Sequence, residues 1–398
     1  MSEQGSVLQN LIFNDRYLAP SFDMSMLLEL GNGGLPEVLP KTYLVHNYQL
    51  VKDILRNSAI FTSYQIGFDN YKELIRVLKI AAVELEGDVL FSDFEQHSTL
   101  RGILLQNYIR ISQYIPELVK KVICEHFKEL QSAPRICIAH EIATAISEKI
   151  FLELSGIARI EQYSKFRGFF KCIRSVLNAI DNNLSKCNSQ ELVKHWEFTF
   201  STVIQKLNKP DHTYPNLLSG LAMDKEITLE QKAIMILAFI RAGIENPRSF
   251  IVSAVIRYFQ YPELYEENNI QFLNEVMRYD CPAKITARYI SDDIEVGGLT
   301  LKKGYKVWLS FRLANFSEEV FNESFSFKLR KINPNLSLGI GPHFCIGKDL
   351  TYKLTSSIID YVKTNNYSFL QDINYLLDDS VVFRRYINPI YLHCNTKV

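Results

Sequence analysis

The stretch Leu338-Gly339-Ile340-Gly341-Pro342-His343-Phe344-Cys345-Ile346-Gly347 decides how the rest of the chain is read. It sets one cysteine in a glycine-punctuated loop just ahead of an amphipathic run. Glycine accepts positive φ and lets a backbone approach a flat object closely, and Gly339 and Gly341 are expected to use both properties. From Lys348 to Val362, Leu350, Leu354 and Ile358 recur every four residues with Asp349 at the start, so a helix is expected there. A cysteine at the N-terminal end of that helix meets N–H groups that lack helical partners and the positive end of the dipole, which together favour a thiolate. A metal-ligating cysteine must be deprotonated, so the setting suits a metal–thiolate bond. The bland alternative is a buried cysteine in a glycine-rich turn.

These ten residues resemble the haem-ligand loop of the cytochrome P450 family in both glycines, in His343 two residues before Cys345, and in Gly347 two residues after it. The resemblance implies that Cys345 is the axial thiolate of a haem b iron, where electron donation favours O–O cleavage. It places Gly339, His343 and Gly347 in the cofactor site. The family usually carries phenylalanine at Leu338, whose ring shields the sulfur, so leucine leaves the redox potential open. The likeness extends over nearly the whole chain from about Thr42. It implies the cytochrome P450 fold, mainly α with a minor β region, as a single domain over residues 1–398.

Composition is compatible. The chain has 398 residues, 47% hydrophobic and 22% charged, in the range of folded globular proteins. Length alone favours two domains, but no Ser/Gly/Pro-rich linker, repeat or low-complexity tract divides the sequence. Lys+Arg 44 balances Asp+Glu 44, so no global field points to nucleic acid or an anionic membrane. The opening MSEQGSVLQNLIFNDRYLAP lacks the layout of a signal peptide, and no stretch approaches the ~18 apolar residues of a membrane span. Seven cysteines without a CxxC pair fit a reducing cytoplasm. The expectation is a cytoplasmic monomer.

Local signals outline the elements. Thr42–His46 reads as a strand, and Asn47 as the cap of a helix with Leu50, Val51, Ile54 and Leu55 on one face. Thr228-Leu229-Glu230-Gln231 is a capping-box signature opening a long apolar helix from Ala233 through Tyr258, with Pro247 expected to kink it. Gln271–Tyr279 reads as a shorter helix. Strands are expected at Ile285–Ile290, Ile294–Val296, Leu299–Leu301 and Tyr305–Phe311, and a final hairpin between Val381 and Leu392. Residues 62–93, 165–215, 283–287 and 381–384 correspond to stretches that border the substrate pocket in the family. On that likeness Lys284, Ile285, Val382 and Phe383 are expected to face substrate.

Several pairs gain meaning beside the cysteine loop. Glu275 and Arg278, three apart, share a helix face and can form an ion pair. They match the family's Glu-x-x-Arg pair, which buttresses the loop behind the haem. The usual third partner, an arginine, is replaced by Ser326, and Arg330 stands nearby; which group completes the network is open. His97 and Arg101, four apart, match a propionate-binding helix, as do Arg288 and His343 in their segments, and arginine suits a carboxylate through paired bonds.

Ala242-Gly243-Ile244-Glu245-Asn246 resembles the family's Ala-Gly-x-(Asp/Glu)-Thr oxygen groove. Ala242 and Gly243 keep the helix surface open to substrate and O₂. The acid and hydroxyl relay protons, which requires donors within hydrogen-bond reach. Glu245 keeps the acid, while Asn246 replaces the hydroxyl with an amide, a poor proton carrier. Either water compensates or the chemistry is less dependent on the relay, as in oxidative coupling. Arg241, at a position usually apolar, needs a counter-charge. Glu245 one turn later is one expectation and an anionic substrate group, in company with Lys284, is the other.

The resemblance therefore implies a haem-thiolate monooxygenase acting on a small organic molecule of secondary metabolism, either free or tethered to a carrier protein. Electrons would come from a ferredoxin- or flavodoxin-type partner. The alternatives are a P450-like haem-binding or recruitment module without oxidase activity, and a peroxide-driven peroxygenase.

Overall fold

The computed structural model describes residues 37–39, 41–63, 87–181, 189–369, 377, 382–386 and 388–394. Residues 64–86 of the expected pocket cover and 182–188 of the later aromatic-rich stretch lie outside them. Helices dominate, with a small strand content, as expected. The chain forms two compact units. The first is built from Met1–Ile66, Ser253–Cys345 and Ile373–Pro389, and the second from Gly67–Val252, Ile346–Asp372 and Ile390–Val398.

The first unit is organised on a five-stranded sheet of order β1-β2-β8-β5-β3, where β1 is Glu37–Leu39, β2 Thr42–Val45, β3 Phe61–Thr62, β5 Ile285–Ile290 and β8 Lys306–Ser310. β2 runs parallel to β8, with Tyr43 opposite Val307 and Val45 opposite Leu309. The helix Tyr48–Arg56 follows directly, and Asn47 Oδ1 accepts from the Leu50 N–H at 3.0 Å, the expected cap. Its Val51 and Ile54 are fully buried with Val45, Phe61, Val307 and Leu309 in one apolar cluster. β6 (Ile294–Val296) and β7 (Leu299–Leu301) form the predicted hairpin, with Gly297 and Gly298 at φ 58° and 77° in the turn.

The second unit is largely helical. Its core joins Leu152, Phe169, Phe170, Val203, Leu217, Leu218, Ile236, Ile240 and Ile244. A three-stranded sheet holds β10 (Tyr391–Cys394) between β4 (Ile136–Cys137) and β9 (Tyr367–Phe369). This corrects the expected terminal hairpin. β10 pairs with strands far away in sequence, whereas Phe383 bridges Ala283 and Tyr386 bridges Leu377. Periodicity identifies a strand but not its partner. No described helix is long and apolar enough to cross a membrane.

Candidate functional site

The cysteine loop has the backbone its glycines allow. Gly339 and Gly341 sit at φ 67° and 74°, in the left-handed region. A Cβ on Gly341 would lie 2.9 Å from the Leu55 carbonyl oxygen, so this position is held to glycine by a neighbouring backbone as well. The Gly339 N–H donates to Leu336 O at 2.8 Å, and the Cys345 N–H to Leu338 O at 2.9 Å, closing the loop on itself. Cys345 is half-buried and in no disulfide, and the helix Lys348–Thr364 begins three residues later with Gly347 as its cap. Phe344 is exposed at 39%. His343, half-buried, has Nε2 at 3.4 Å from Ser63 Oγ.

Behind this loop, within the same unit, lies a saturated ionic network. Glu275 and Arg278 are both fully buried on the helix Asn269–Tyr279. Arg278 Nε and Nη2 donate to the two oxygens of Glu275 at 2.9 and 2.7 Å, the paired geometry that i,i+3 spacing permits. Arg330 supplies the second guanidinium, its Nε 3.2 Å from Glu275 Oε2. Asn333 Nδ2 donates to that same oxygen at 3.0 Å. Ser326, at the position where the family has arginine, offers its carbonyl instead.

From Arg278 a relay leads back to the loop. Its Nη1 donates to Asn315 O at 2.8 Å. Asn315 Nδ2 donates to Ser337 Oγ at 2.8 Å, Asn315 Oδ1 accepts from the Leu336 N–H at 2.8 Å, and Ser337 Oγ donates to Met277 O at 2.6 Å. Sequence reasoning missed Asn315 and Ser337. They lie 37 and 60 residues from the groups they bind on that helix, and nothing local marks them.

Arg288, on β5, is buried, and its Nη1 donates to Ala287 O at 2.7 Å. Ile285 opens β5 opposite Ser310. Lys284 is buried at 2% exposure, and its N–H donates to Val382 O at 2.7 Å, which ties the 382–386 segment to the start of β5. Beyond the half-buried Val382 and Phe383, Arg384 lies 3.4 Å from Asp280, which also takes Arg257 Nε at 2.6 Å. Burial raises the Asp280 pKa and the arginines, Arg257 foremost, bring it below the usual carboxylate value. Burial pushes the neighbouring Cys281 thiol up to about 12, so that cysteine is inert near neutrality.

The helix Leu229–Gln260, which belongs to the second unit as far as Val252, carries the groove sequence and continues through Pro247. Its start is the expected capping box: Gln231 N–H donates to Thr228 Oγ1 at 3.2 Å, and Thr228 N–H to Gln231 Oε1 at 2.9 Å. On this largely buried helix Ala242 is exposed, an open patch of the kind a flat ligand can approach. Gly243 has a different reason for being small. A Cβ there would lie 2.2 Å from the Phe151 ring, so this glycine is required by helix packing.

Glu245 is buried at 5% and has Arg248 Nη1 at 3.7 Å. Burial lowers the Arg174 pKa, Glu245 raises it and Arg248 lowers it, which puts the carboxylate in a group of cations. The buried Oδ1 of Asn246 accepts no hydrogen bond from the described residues. Arg241 forms an ion pair with Asp88, a partner not among the two expected, Glu245 and a substrate group. Asp88 also caps the short helix Val89–Phe91, its Oδ1 accepting from the Leu90 N–H at 3.0 Å. The pairing spans 153 residues, and an N-cap aspartate gives no sign of it. His97 is buried and Arg101 half-buried on the helix Phe94–Ser112, at the one-turn spacing expected.

The cytochrome P450 family model matches residues 270–353, the span from the Glu275 helix through the cysteine loop. A steroid C26-monooxygenase of Mycolicibacterium smegmatis is 25% identical over 353 residues, covering 84% of this chain and 79% of that protein. The biotin biosynthesis cytochrome P450 of Bacillus subtilis is 32% identical over 161 residues, 38% of this chain and 40% of that protein. Among solved structures, P450BioI in complex with hexadec-9Z-enoic acid ligated acyl carrier protein matches with a TM-score of 0.76 at 20% identity, covering 89% of this chain and 92% of that one.

Proposed function

Since the chain belongs to the cytochrome P450 family, we propose that it is a haem-thiolate monooxygenase in which Cys345 is the iron ligand. The donor set fits the group. The first unit offers a cysteine in a glycine-shaped loop with Arg288 and His343, and the second an exposed alanine on a largely buried helix with His97 and Arg101, residue types suited to carboxylates. Haem b, when bound, supplies the oxidising chemistry.

The chain's own residues have separable tasks. Cys345 would hold the metal, and His97, Arg101, Arg288 and His343 would bind the propionates. Gly339 and Gly347 would line the loop side, with Ala242 and Gly243 on the groove side. Glu275 and Arg278 position the loop. Glu245 would accept and pass on a proton at its carboxyl oxygen. Asn246 would orient a donor through Oδ1, since an amide carries protons poorly. Lys284, Ile285, Val382 and Phe383 are the proposed substrate-side residues, with Arg241.

The substrate would be a small organic molecule of secondary metabolism, oxidised with O₂ by a single-domain, cytoplasmic, monomeric enzyme. Electrons would come from a ferredoxin- or flavodoxin-type donor. Asp88 already provides a counter-charge for Arg241, so no anionic group is required of the substrate. A carrier-tethered acyl group is the second reading. It is prompted by the P450BioI structure, whose partner is a hexadec-9Z-enoic acid ligated acyl carrier protein.

The observation that carries the proposal is the loop of Gly339, Gly341 and Cys345, tied by Asn315 and Ser337 to Glu275–Arg278. The test is the reduced carbon monoxide spectrum of haem-reconstituted protein. A band near ~450 nm, lost in Cys345→Ala, is expected of thiolate ligation. Protein that stays colourless, or an unchanged spectrum in C345A, sinks it. Product from H₂O₂ alone, against product from NADPH with a surrogate reductase, separates a peroxygenase from a monooxygenase.

A further inference from the structure

We propose that Arg330 is the second cation of the loop buttress and a positioning residue for Cys345, doing from four residues downstream what the side chain at Ser326 cannot. The inference deepens the haem-thiolate assignment and rests on it for its spectroscopic arm only.

Arg330 makes contacts that a surface arginine does not. Its side chain is 8% exposed, and its Nε is 3.2 Å from Glu275 Oε2 and 3.3 Å from Oε1. The remaining nitrogens hold the backbone that leads into it: Nη1 donates to Asn322 O at 2.7 Å, and Nη2 to Glu323 O at 2.9 Å and Ser326 O at 3.3 Å. Glu323 lies at φ 52°, a left-handed conformation costly for a residue with a side chain, in the turn whose carbonyls meet the guanidinium. The Phe321 ring lies 5.9 Å from Arg330 and 5.2 Å from Arg278, so one aromatic face borders both cations.

The carbonyl of Ser326 links the two guanidinium groups, accepting from Arg278 Nη2 at 3.4 Å as well. Ser326 thus contributes an acceptor where a cation is absent, and Arg330 contributes the cation. Asn333, three residues later, fills Glu275 Oε2, and Leu336 and Ser337 receive the Asn315 relay. The segment from Arg330 to Cys345 is therefore pinned at its start by the same carboxylate that fixes Arg278. Removing Arg330 would free the 322–326 turn, unload Glu275 and loosen the relay that holds Leu336, whose carbonyl takes the Gly339 N–H.

The test compares wild type, Arg330→Gln, Arg330→Lys and, as a control, Lys331→Gln at the exposed neighbour. In the haem-loaded proteins the readout is the rate at which the reduced carbon monoxide band moves from ~450 nm to ~420 nm, a mark of lost thiolate ligation. R330Q is expected to convert at least about tenfold faster, the usual scale for an outer-shell partner, R330K to fall between, and K331Q to match wild type. In protein without haem, the Gly339 and Cys345 amides of R330Q should exchange with solvent about tenfold faster than in wild type, with amides of the Leu229–Gln260 helix unchanged.

Wild-type conversion and exchange rates in R330Q overturn the proposal. So does a uniform rise in exchange across the chain, the outcome of a purely structural role. If R330Q fails to accumulate, R330K decides: it keeps the charge and lacks the fork, and wild-type behaviour there overturns the proposal. Absence of the ~450 nm band in wild type would instead refute the haem-thiolate assignment and leave the exchange experiment to judge Arg330.

Discussion

Two buried arginine–carboxylate systems in this chain are built on opposite plans. In the cysteine-loop buttress, Glu275 is fully buried and both its oxygens are shared among Arg278, Arg330, Asn333 and the Lys328 N–H. In the groove helix, Glu245 stands 3.7 Å from Arg248, Arg241 reaches across to Asp88, and the buried Asn246 Oδ1 accepts nothing from the described residues. The first is a saturated polar network, which rigidifies and specifies one arrangement. The second divides its charges among separate pairs and leaves Asn246 Oδ1 without a described donor, and the Phe151 ring packs against its Gly243. A shared carboxylate fixes several partners at once, whereas separate pairs leave each charge to its own neighbour.

The largest expected effect tests the saturated side. Glu275→Ala leaves two guanidinium groups with no carboxylate in a buried site, a situation that costs roughly 3–5 kcal/mol. Urea unfolding should show this as a lower midpoint with an unchanged slope. A loss below about 1 kcal/mol, the range of solvent-screened pairs, would mean that water reaches the network, and the contrast with the groove would collapse.

A smaller effect tests whether packing sets the groove. Gly243→Ala places a methyl 2.2 Å from the Phe151 ring, and overpacking of this kind costs typically about 1–3 kcal/mol. Alanine's better helix propensity returns roughly 1 kcal/mol of it. Trimming the ring with Phe151→Leu should make the second substitution cheaper than the sum of the two single losses. Strictly additive losses in a double-mutant cycle would separate Gly243 from Phe151 and return this glycine to the role of opening the groove.

The contrast also explains what the sequence reveals. Features set by neighbours along the chain are legible: the Thr228–Gln231 capping box, the Asn47 cap, the β6–β7 hairpin and the Glu275–Arg278 pair. In each, the partners are within a few residues and a single periodicity brings them together. The glycines of the loop are legible because positive φ has a residue-type signature. What depends on tertiary closure is silent. β2 meets β8 with Thr42 opposite Lys306, and β10 joins β4 and β9 instead of a sequence neighbour. Asn315 and Ser337 are ordinary polar residues until the relay passes through them. Gly243 has the right identity for two different reasons, and only the Phe151 contact shows which of them operates. The identity of Arg241's partner was equally hidden, because charge demands a counter-ion without saying where it comes from.

That pair gives the smallest and most discriminating test. Arg241 is 21% exposed against 4% for Asp88, so solvent offsets part of the loss when Asp88→Asn removes the counter-charge, and the expected cost is roughly 1 kcal/mol. The amide keeps an oxygen for the Leu90 N–H, so the cap of the short Val89–Phe91 helix survives and the change isolates the charge. The same variant then decides whether Arg241 has a second task. A structural arginine gains nothing toward ligands when Asp88 is neutralised, and a fatty acid and its methyl ester should bind D88N in the same ratio as wild type. If the acid gains over the ester by more than about tenfold, or 1.4 kcal/mol, in D88N and loses that gain in Asp88→Asn/Arg241→Gln, then Arg241 faces the substrate and Asp88 holds it in check. The groove would then be tuned by a neutralising partner, as the buttress is by a shared one.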